Sequence, residues 1–298
     1  MEEIIKKISL YGDIDTNRSM QDCTTLRIGG NVDYMVYPYD LDSAVEMLKI
    51  LSDVQVNKAI IGNGSNLLAS DRDYHGIIVR LSKYLNQYDI SNTTVIADAG
   101  CSIISLAFAC AKEGLSGLEF AGGIPGSLGG AIYMNAGAYK SSISEVIEAV
   151  LVYKEGKCDW LSKDECNFGY RTSIFQAHRD WVILGAKLAL VRKDKDEIME
   201  LMDNRRVRRF DTQPLDVPSA GSVFRNPNEN SAWTYIDKVG LRGCRIGDAQ
   251  VSPKHPNFIV NVGHAKASDF YELVQLVQRK VKEECNIDLL MEVEKFNW

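Results

Sequence analysis

The sequence predicts an α+β protein in three successive parts, with boundaries at 1–82, 83–193 and 194–298. Hairpin-like pairs of short β-branched runs dominate the middle of the chain, amphipathic helices flank them, and no part repeats another. The charged link Lys193-Asp194-Lys195-Asp196 opens the third part.

The elements follow in order. Residues 2–9 read as a short helix and 33–38 alternate as a strand. Residues 41–51 carry apolar side chains at 41, 44, 45, 48 and 51 behind Asp40, a helix with its N-cap. Strands are expected over 58–61 and 76–81, so the first part is β-α-β-β with a glycine loop at a strand end. The second part brings a strand at 95–97 and a helix over 103–113 that stops at Gly114. Runs at 149–154 and 158–161 flank Glu155-Gly156 as a hairpin, and a long run covers 181–192. In the third part a helix over 197–209 ends in Arg205, Arg206, Arg208 and Arg209, where the macrodipole favours cations; anion binding is the alternative reading. A helix at 232–239 and strands at 249–252 and 257–262 come next. Ser268 is read as the cap of a helix that lines up Phe270, Leu273, Val274, Val277 and Val281 as a core face. Residues 287–296 close the chain as a strand returning towards the first part.

Composition narrows the function classes. A 298-residue chain with 45% hydrophobic and 25% charged residues is long enough for several cores and ordinary for a soluble globular protein. Its net charge of -6 offers no footprint for nucleic acid. The N-terminus lacks a signal-peptide pattern, and no apolar run is long enough to span a membrane. Seven cysteines without a C-x-x-C pair point to reduced thiols in a cytosol, and four scattered histidines give no metal motif.

The densest signal is the stretch Gly122-Gly123-Ile124-Pro125-Gly126-Ser127-Leu128-Gly129-Gly130, which continues to Tyr139. Five of its first nine residues are glycine, a density read here as excluding helix and strand. Pro125 beside them makes this a shaped loop, whose backbone amides suit phosphate or polar ring atoms. A structural turn is the competing reading. Neither the dinucleotide fingerprint G-x-G-x-x-G nor a P-loop lysine is present. A second loop, Gly62-Asn63-Gly64-Ser65-Asn66, follows an apolar run. Together the two loops suggest an extended dinucleotide on a fold other than the Rossmann fold.

Six blocks then carry a specific resemblance: Thr25-Leu26-Arg27-Ile28-Gly29-Gly30, Gly62-Asn63-Gly64-Ser65-Asn66-Leu67-Leu68, the Gly123–Gly130 stretch, Tyr170-Arg171-Thr172-Ser173-Ile174-Phe175, Ala220-Gly221-Ser222-Val223-Phe224-Arg225-Asn226-Pro227 and Met291-Glu292-Val293. In this order the chain resembles the UDP-N-acetylenolpyruvoylglucosamine reductases, flavin enzymes that complete muramic acid. The few residues between Phe175 and Trp181 leave no room for a tyrosine-bearing insertion, so the shorter subclass is the match. The resemblance implies a two-part FAD-binding domain of the PCMH-type, vanillyl-alcohol-oxidase-like kind over 1–82 and 83–193, and an α+β substrate-binding domain over 194–298 whose final strand returns to the flavin site.

What the resemblance implies chemically is reduction of UDP-N-acetylglucosamine enolpyruvate by NADPH through non-covalent FAD, in the cytoplasm, by a monomer with no nucleic-acid or membrane partner. The loops at 62–68 and 122–139 contain no histidine or cysteine for covalent attachment. FAD contacts are carried onto Arg27, Gly29, Gly62, Asn63, Gly64, Ser65, Asn66, Leu67, Gly122, Gly123, Ile124, Pro125, Gly126, Ser127, Gly129, Gly130, Asn135, Ala136 and Gly137. Tyr170, Arg171 and Asn226 match substrate contacts. Among catalytic positions, Arg171 would clamp the carboxylate, Ser222 would donate the proton, and Glu292, not Glu294, would supply the carboxyl group. The bland alternatives are a surface ion pair for Arg171, a turn cap for Ser222 and an exposed strand carboxylate for Glu292. Where the resemblance often implies a lysine this chain has Thr212, so the cation near the substrate is expected from elsewhere, with Arg225 and Lys254 among the candidates and the contact left open. Competing functions are an FAD-dependent oxidase or dehydrogenase of another small substrate, and a non-catalytic nucleotide-binding module, which would purify colourless.

Overall fold

The structure, a computed structural model, describes residues 1–227 and 230–298. Along the chain come helix α1 (Glu2–Ile8), strands β1 (Gly12–Ser19) and β2 (Asn31–Pro38), helix α2 (Leu41–Ser52), and strands β3 (Lys58–Ile61), β4 (Leu67–Ala69) and β5 (Tyr74–Arg80). Next are β6 (Tyr88–Ser91), β7 (Thr94–Asp98), α3 (Ile103–Lys112), β8 (Leu115–Ser116), α4 (Leu128–Tyr133), β9 (Gly137–Ala138) and β10 (Ser141–Ser142). Strands β11 (Ile147–Lys154), β12 (Lys157–Ser162), β13 (Val182–Ala189) and β14 (Val191–Arg192) lead into α5 (Lys195–Thr212). The remainder is β15 (Ser219–Ser222), α6 (Ala232–Lys238), β16 (Arg245–Ile246), β17 (Ala249–Val251), β18 (Phe258–Asn261), α7 (Ala267–Cys285) and β19 (Glu294–Phe296).

Contacts divide the chain into two units interleaved in sequence. The first is Met1–Thr16, Tyr34–Asn63 and Gly76–Val207; the second is Asn17–Asp33, Gly64–His75 and Arg208–Trp298. The division differs from the three consecutive stretches read from sequence, and one cut falls inside α5. The charged link at 193–196 is a helix start: the Asp194 carboxylate accepts the N–H of Asp196 at 2.9 Å and of Glu197 at 3.1 Å.

In the first unit an antiparallel sheet runs β12-β11-β13-β7-β6. Its central strand β13 buries Leu184, Ala186 and Leu188 completely, beside Val150 and Val152 of β11 and Val95 of β7. The β11–β12 turn uses Glu155 at φ 50° and Gly156 at φ 80°, the two left-handed residues a tight hairpin needs. Strands β3 and β5 pair in parallel, and α2 contributes Ala44, Met47, Leu48 and Leu51 to the core. Asp40 caps α2 as expected, accepting the Ser43 N–H at 2.7 Å. In the second unit an antiparallel sheet runs β15-β18-β17-β16, and α7 buries Phe270, Leu273, Val274, Val277 and Val281 in its core. The final strand β19 pairs in parallel with β4, Glu294 opposite Leu67.

Four expectations are corrected. The glycine-rich stretch does contain a helix, α4, and a short strand, β9. Its helical Gly129 allows close approach, since a Cβ there would lie 3.0 Å from the Ala99 Cβ, and its N–H donates to the Ala99 carbonyl at 2.8 Å. Strands β1 and β6 were not read because both are polar edge strands with little apolar alternation. Helix α7 begins before Ser268. Its cap is Asp71, whose carboxylate accepts the N–H of Ala267 at 2.7 Å and of Ser268 at 3.2 Å. The closing strand is shorter than 287–296: β19 covers Glu294–Phe296, preceded by a lone bridge between Met291 and Phe224.

Candidate active site

Within the first unit the two glycine loops meet. A Cβ on Gly62 would collide with the Ser127 hydroxyl, so Gly62 is what lets the first loop lie against the second. Ser127 is buried at 2% and caps α4, its hydroxyl accepting the Gly130 N–H at 3.3 Å. The Leu128 N–H is spent on the Cys101 carbonyl at 2.8 Å, while Gly130 stays exposed. Burial pushes the Cys101 thiol up to about 12, so no thiolate charge competes beside this loop. The cradle therefore pairs bare glycine backbone with a neutral hydroxyl, a lining that fits the polar and phosphate atoms of a dinucleotide.

Asn135, Ala136 and Gly137 continue from α4. Asn135 is buried at 5% with φ 42°; its Nδ2 donates to the Gly169 carbonyl at 2.8 Å and its Oδ1 accepts the Ser144 N–H at 3.2 Å. This ties the glycine-rich stretch to the turn that carries Tyr170 and Arg171. Arg171 takes φ 55°, its Nη2 donates to the Gly137 carbonyl at 2.6 Å, and its guanidinium lies 5.1 Å from the centre of the exposed Tyr170 ring. The guanidinium thus stands next to residues assigned to the cofactor.

The second unit holds the other two positions that the resemblance marks as catalytic, Ser222 and Glu292. Ser222 ends β15 opposite Phe258. The next carbonyl, that of Val223, accepts the Glu292 N–H at 2.7 Å, which brings the two half-buried positions onto adjacent segments. Asn257, buried at 4%, locks this corner: its side chain accepts the Phe224 N–H at 3.0 Å and donates to the Phe224 carbonyl at 2.8 Å. Asn66 Nδ2 donates to the Glu292 carbonyl at 3.1 Å, and the Asn66 carbonyl accepts the Glu294 N–H at 2.9 Å. Ser65 and Leu67 flank it, and Gly64 at φ 63° packs on the Cys23 carbonyl. Asn66 therefore ties the loop read as a cofactor contact to the backbone on either side of Val293, including that of Glu292.

Arg27 is exposed at φ 56° and next to Gly29, and the buried Asn261 donates to the Leu26 carbonyl at 3.2 Å to hold that loop. Asn226 is exposed, and its Oδ1 accepts the N–H of Ala232, the first residue of α6, at 3.0 Å. The Lys254 ammonium is bonded to the Phe210 carbonyl. Arg225 Nε is buried without a hydrogen-bond partner among the described residues.

The model for the FAD-binding domain matches residues 32–160, and the model for the C-terminal domain of UDP-N-acetylenolpyruvoylglucosamine reductase matches residues 213–296. The reductase of that name from Bacillus subtilis is 40% identical over 297 residues, covering 99% of this chain and 98% of its own. Its Bacillus pumilus counterpart is 39% identical over 284 residues, covering 95% and 94%. The chain belongs to the UDP-N-acetylenolpyruvoylglucosamine reductase family. The crystal structure of the Thermus caldophilus reductase superposes with a TM-score of 0.81 at 34% identity over 96% of this chain and 98% of that one.

This chain is accordingly an FAD-dependent oxidoreductase of α+β fold, and its length fits the shorter subclass of the family. No helix among the described residues is long and apolar enough to cross a membrane, and none of their His, Cys, Asp and Glu side chains group as a metal site. Sequence reasoning missed the residues that hold the site rather than form it. Asn257, Asn261 and Gln176 are lone polar residues inside or beside apolar runs, and that position was the available signal.

Proposed function

We propose that this chain reduces UDP-N-acetylglucosamine enolpyruvate to UDP-N-acetylmuramate at the expense of NADPH, as a cytoplasmic monomer in peptidoglycan precursor synthesis. The observation that carries the reading is the corner where Glu292 bonds the carbonyl next to Ser222, outside the flavin-binding loops. FAD, when bound, supplies the two-electron relay from NADPH to the enolpyruvyl methylene carbon. The residues that would hold it without a covalent bond are those of the two glycine loops, with Arg27, Gly29 and Asn135 to Gly137.

The remaining work falls to side chains. Arg171 pairs with the substrate carboxylate and holds the negative charge that grows there as the methylene carbon gains hydride. Ser222 delivers the proton to the neighbouring carbon, and Glu292 supplies the carboxyl group that hydrogen-bonds the substrate's carboxylate. Tyr170 and Asn226 contact the substrate. Arg225, with its buried unpartnered Nε, is the stronger candidate for the cation that Thr212 does not provide, because Lys254 is already committed to a carbonyl.

The test is an anaerobic titration of the purified protein, run at a concentration where sedimentation gives the mass of one chain. NADPH should bleach the flavin band. UDP-N-acetylglucosamine enolpyruvate should restore it with formation of UDP-N-acetylmuramate, and acid should release all colour to the supernatant. A band that NADPH bleaches but this substrate leaves bleached would overturn the assignment in favour of another flavin enzyme.

A further inference from the structure

The turn carrying Arg171 has a conformation that arginine does not choose for itself, and a side chain outside the matched motif holds it there. Gly169 and Thr172 exchange backbone hydrogen bonds at 3.0 and 3.2 Å, leaving Tyr170 and Arg171 as the two turn residues. Arg171 sits at φ 55°, a region glycine or asparagine occupies at lower cost. Gln176, at the end of the one-turn helix Ile174–Gln176, reaches back to this turn. Its Nε2 donates to the Arg171 carbonyl at 3.1 Å and to the Tyr133 carbonyl at 3.2 Å, and its Oε1 accepts the Thr172 hydroxyl at 3.4 Å. Both carbonyls are acceptors, so the orientation of the amide is forced. Tyr133 is the last residue of α4, and Phe175 beside Gln176 is buried at 1%. The amide therefore connects the peptide of Arg171 to a helix end and to a core anchor. Ser173 and Asn135 brace the surroundings, at the Tyr133 carbonyl (2.7 Å) and the Gly169 carbonyl (2.8 Å), but neither of these bonds reaches the Arg171 peptide.

We propose that Gln176 is the positioning residue for Arg171. By tethering the Arg171 carbonyl to the end of α4 it sets the direction in which the guanidinium leaves the turn, and so the fit of the clamp to the substrate carboxylate. The inference rests on the reading of Arg171 as that clamp.

The experiment compares Gln176→Leu, Gln176→Glu, Arg171→Ala and the double variant Arg171→Ala/Gln176→Leu, each as flavin-loaded enzyme. Calorimetry gives the substrate Kd of the oxidised enzyme, and stopped flow gives bleaching by NADPH and recovery by substrate separately. Gln176→Leu should weaken substrate binding and slow the recovery by about 10- to 100-fold while leaving bleaching unchanged, the range expected for a displaced clamp. Gln176→Glu keeps the size but presents oxygen to both carbonyls, so it should be no faster than Gln176→Leu. The double variant should match Arg171→Ala alone, because nothing is left to position. A wild-type recovery in Gln176→Glu would overturn the proposal, as would a Gln176→Leu effect that persists in full on the Arg171→Ala background. Arg171→Ala at wild-type speed would overturn the clamp reading and this inference with it. A slow Arg171→Ala beside an unaffected Gln176→Leu would overturn the inference alone. If Gln176→Leu does not accumulate folded, the Gln176→Glu comparison decides.

Discussion

At the scale of single residues, the chemistry of the candidate site residues was legible in the sequence and their supports were not. Arg171, Ser222 and Glu292 stand in motifs that name them. Nothing in the sequence announces that Arg171 is left-handed, that the Asn226 amide caps α6, or that Asn257 locks Phe224 in place, because each fact needs a partner distant in the chain. The strain at Arg171 has a measurable consequence. A non-glycine residue in this region costs about 1 kcal/mol or more. Arg171→Gly and Arg171→Ala both remove the guanidinium, but the glycine also relieves the backbone. Urea unfolding should therefore find the glycine variant more stable than the alanine variant by about 1 kcal/mol, with turnover lost in both. Equal stability, or a less stable glycine variant, would remove strain from the account of this turn.

At the scale of elements, strongly periodic segments read well and polar or glycine-rich ones did not. Helix α2 with its Asp40 cap and the core stripe of α7 follow from spacing alone. Strands β1 and β6 have too little apolar alternation to be seen without their sheet neighbours. Helix α4 was hidden because glycine is a poor helix former, and tertiary contact with Ala99 and the Ser127 cap overrides that preference. The start of α7 shows the same limit from another side. Ser268 looked like the cap, yet the carboxylate that meets the first amides comes from Asp71 in a different stretch of sequence. Asp71→Ala should cost about 1–2 kcal/mol in urea or thermal unfolding, and Asp71→Asn, which keeps an acceptor, should cost less. If alanine and asparagine behave alike and leave stability unchanged, Asp71 is not the cap that matters.

At the scale of the whole molecule, the order of the six blocks was enough to identify the family, and it gave no view of how contacts would partition the chain. Each compact unit draws on three separate stretches, so the segment from Gly64 to His75 belongs with the C-terminal residues and not with its sequence neighbours. That partition is why Asn66, read as a cofactor contact, also holds the backbone of Glu292, and why the last strand has its partner in β4. The central claim is that the Ser222–Glu292 corner delivers the proton in the second half of the reaction and has no part in the first. Stopped flow on Ser222→Ala tests it most directly, with bleaching by NADPH and recovery by UDP-N-acetylglucosamine enolpyruvate recorded separately. The account predicts bleaching at the wild-type rate and recovery slowed on the order of 10²–10⁴-fold, the usual loss when a general acid is removed; equal slowing of both phases, or no slowing of the second, would contradict it.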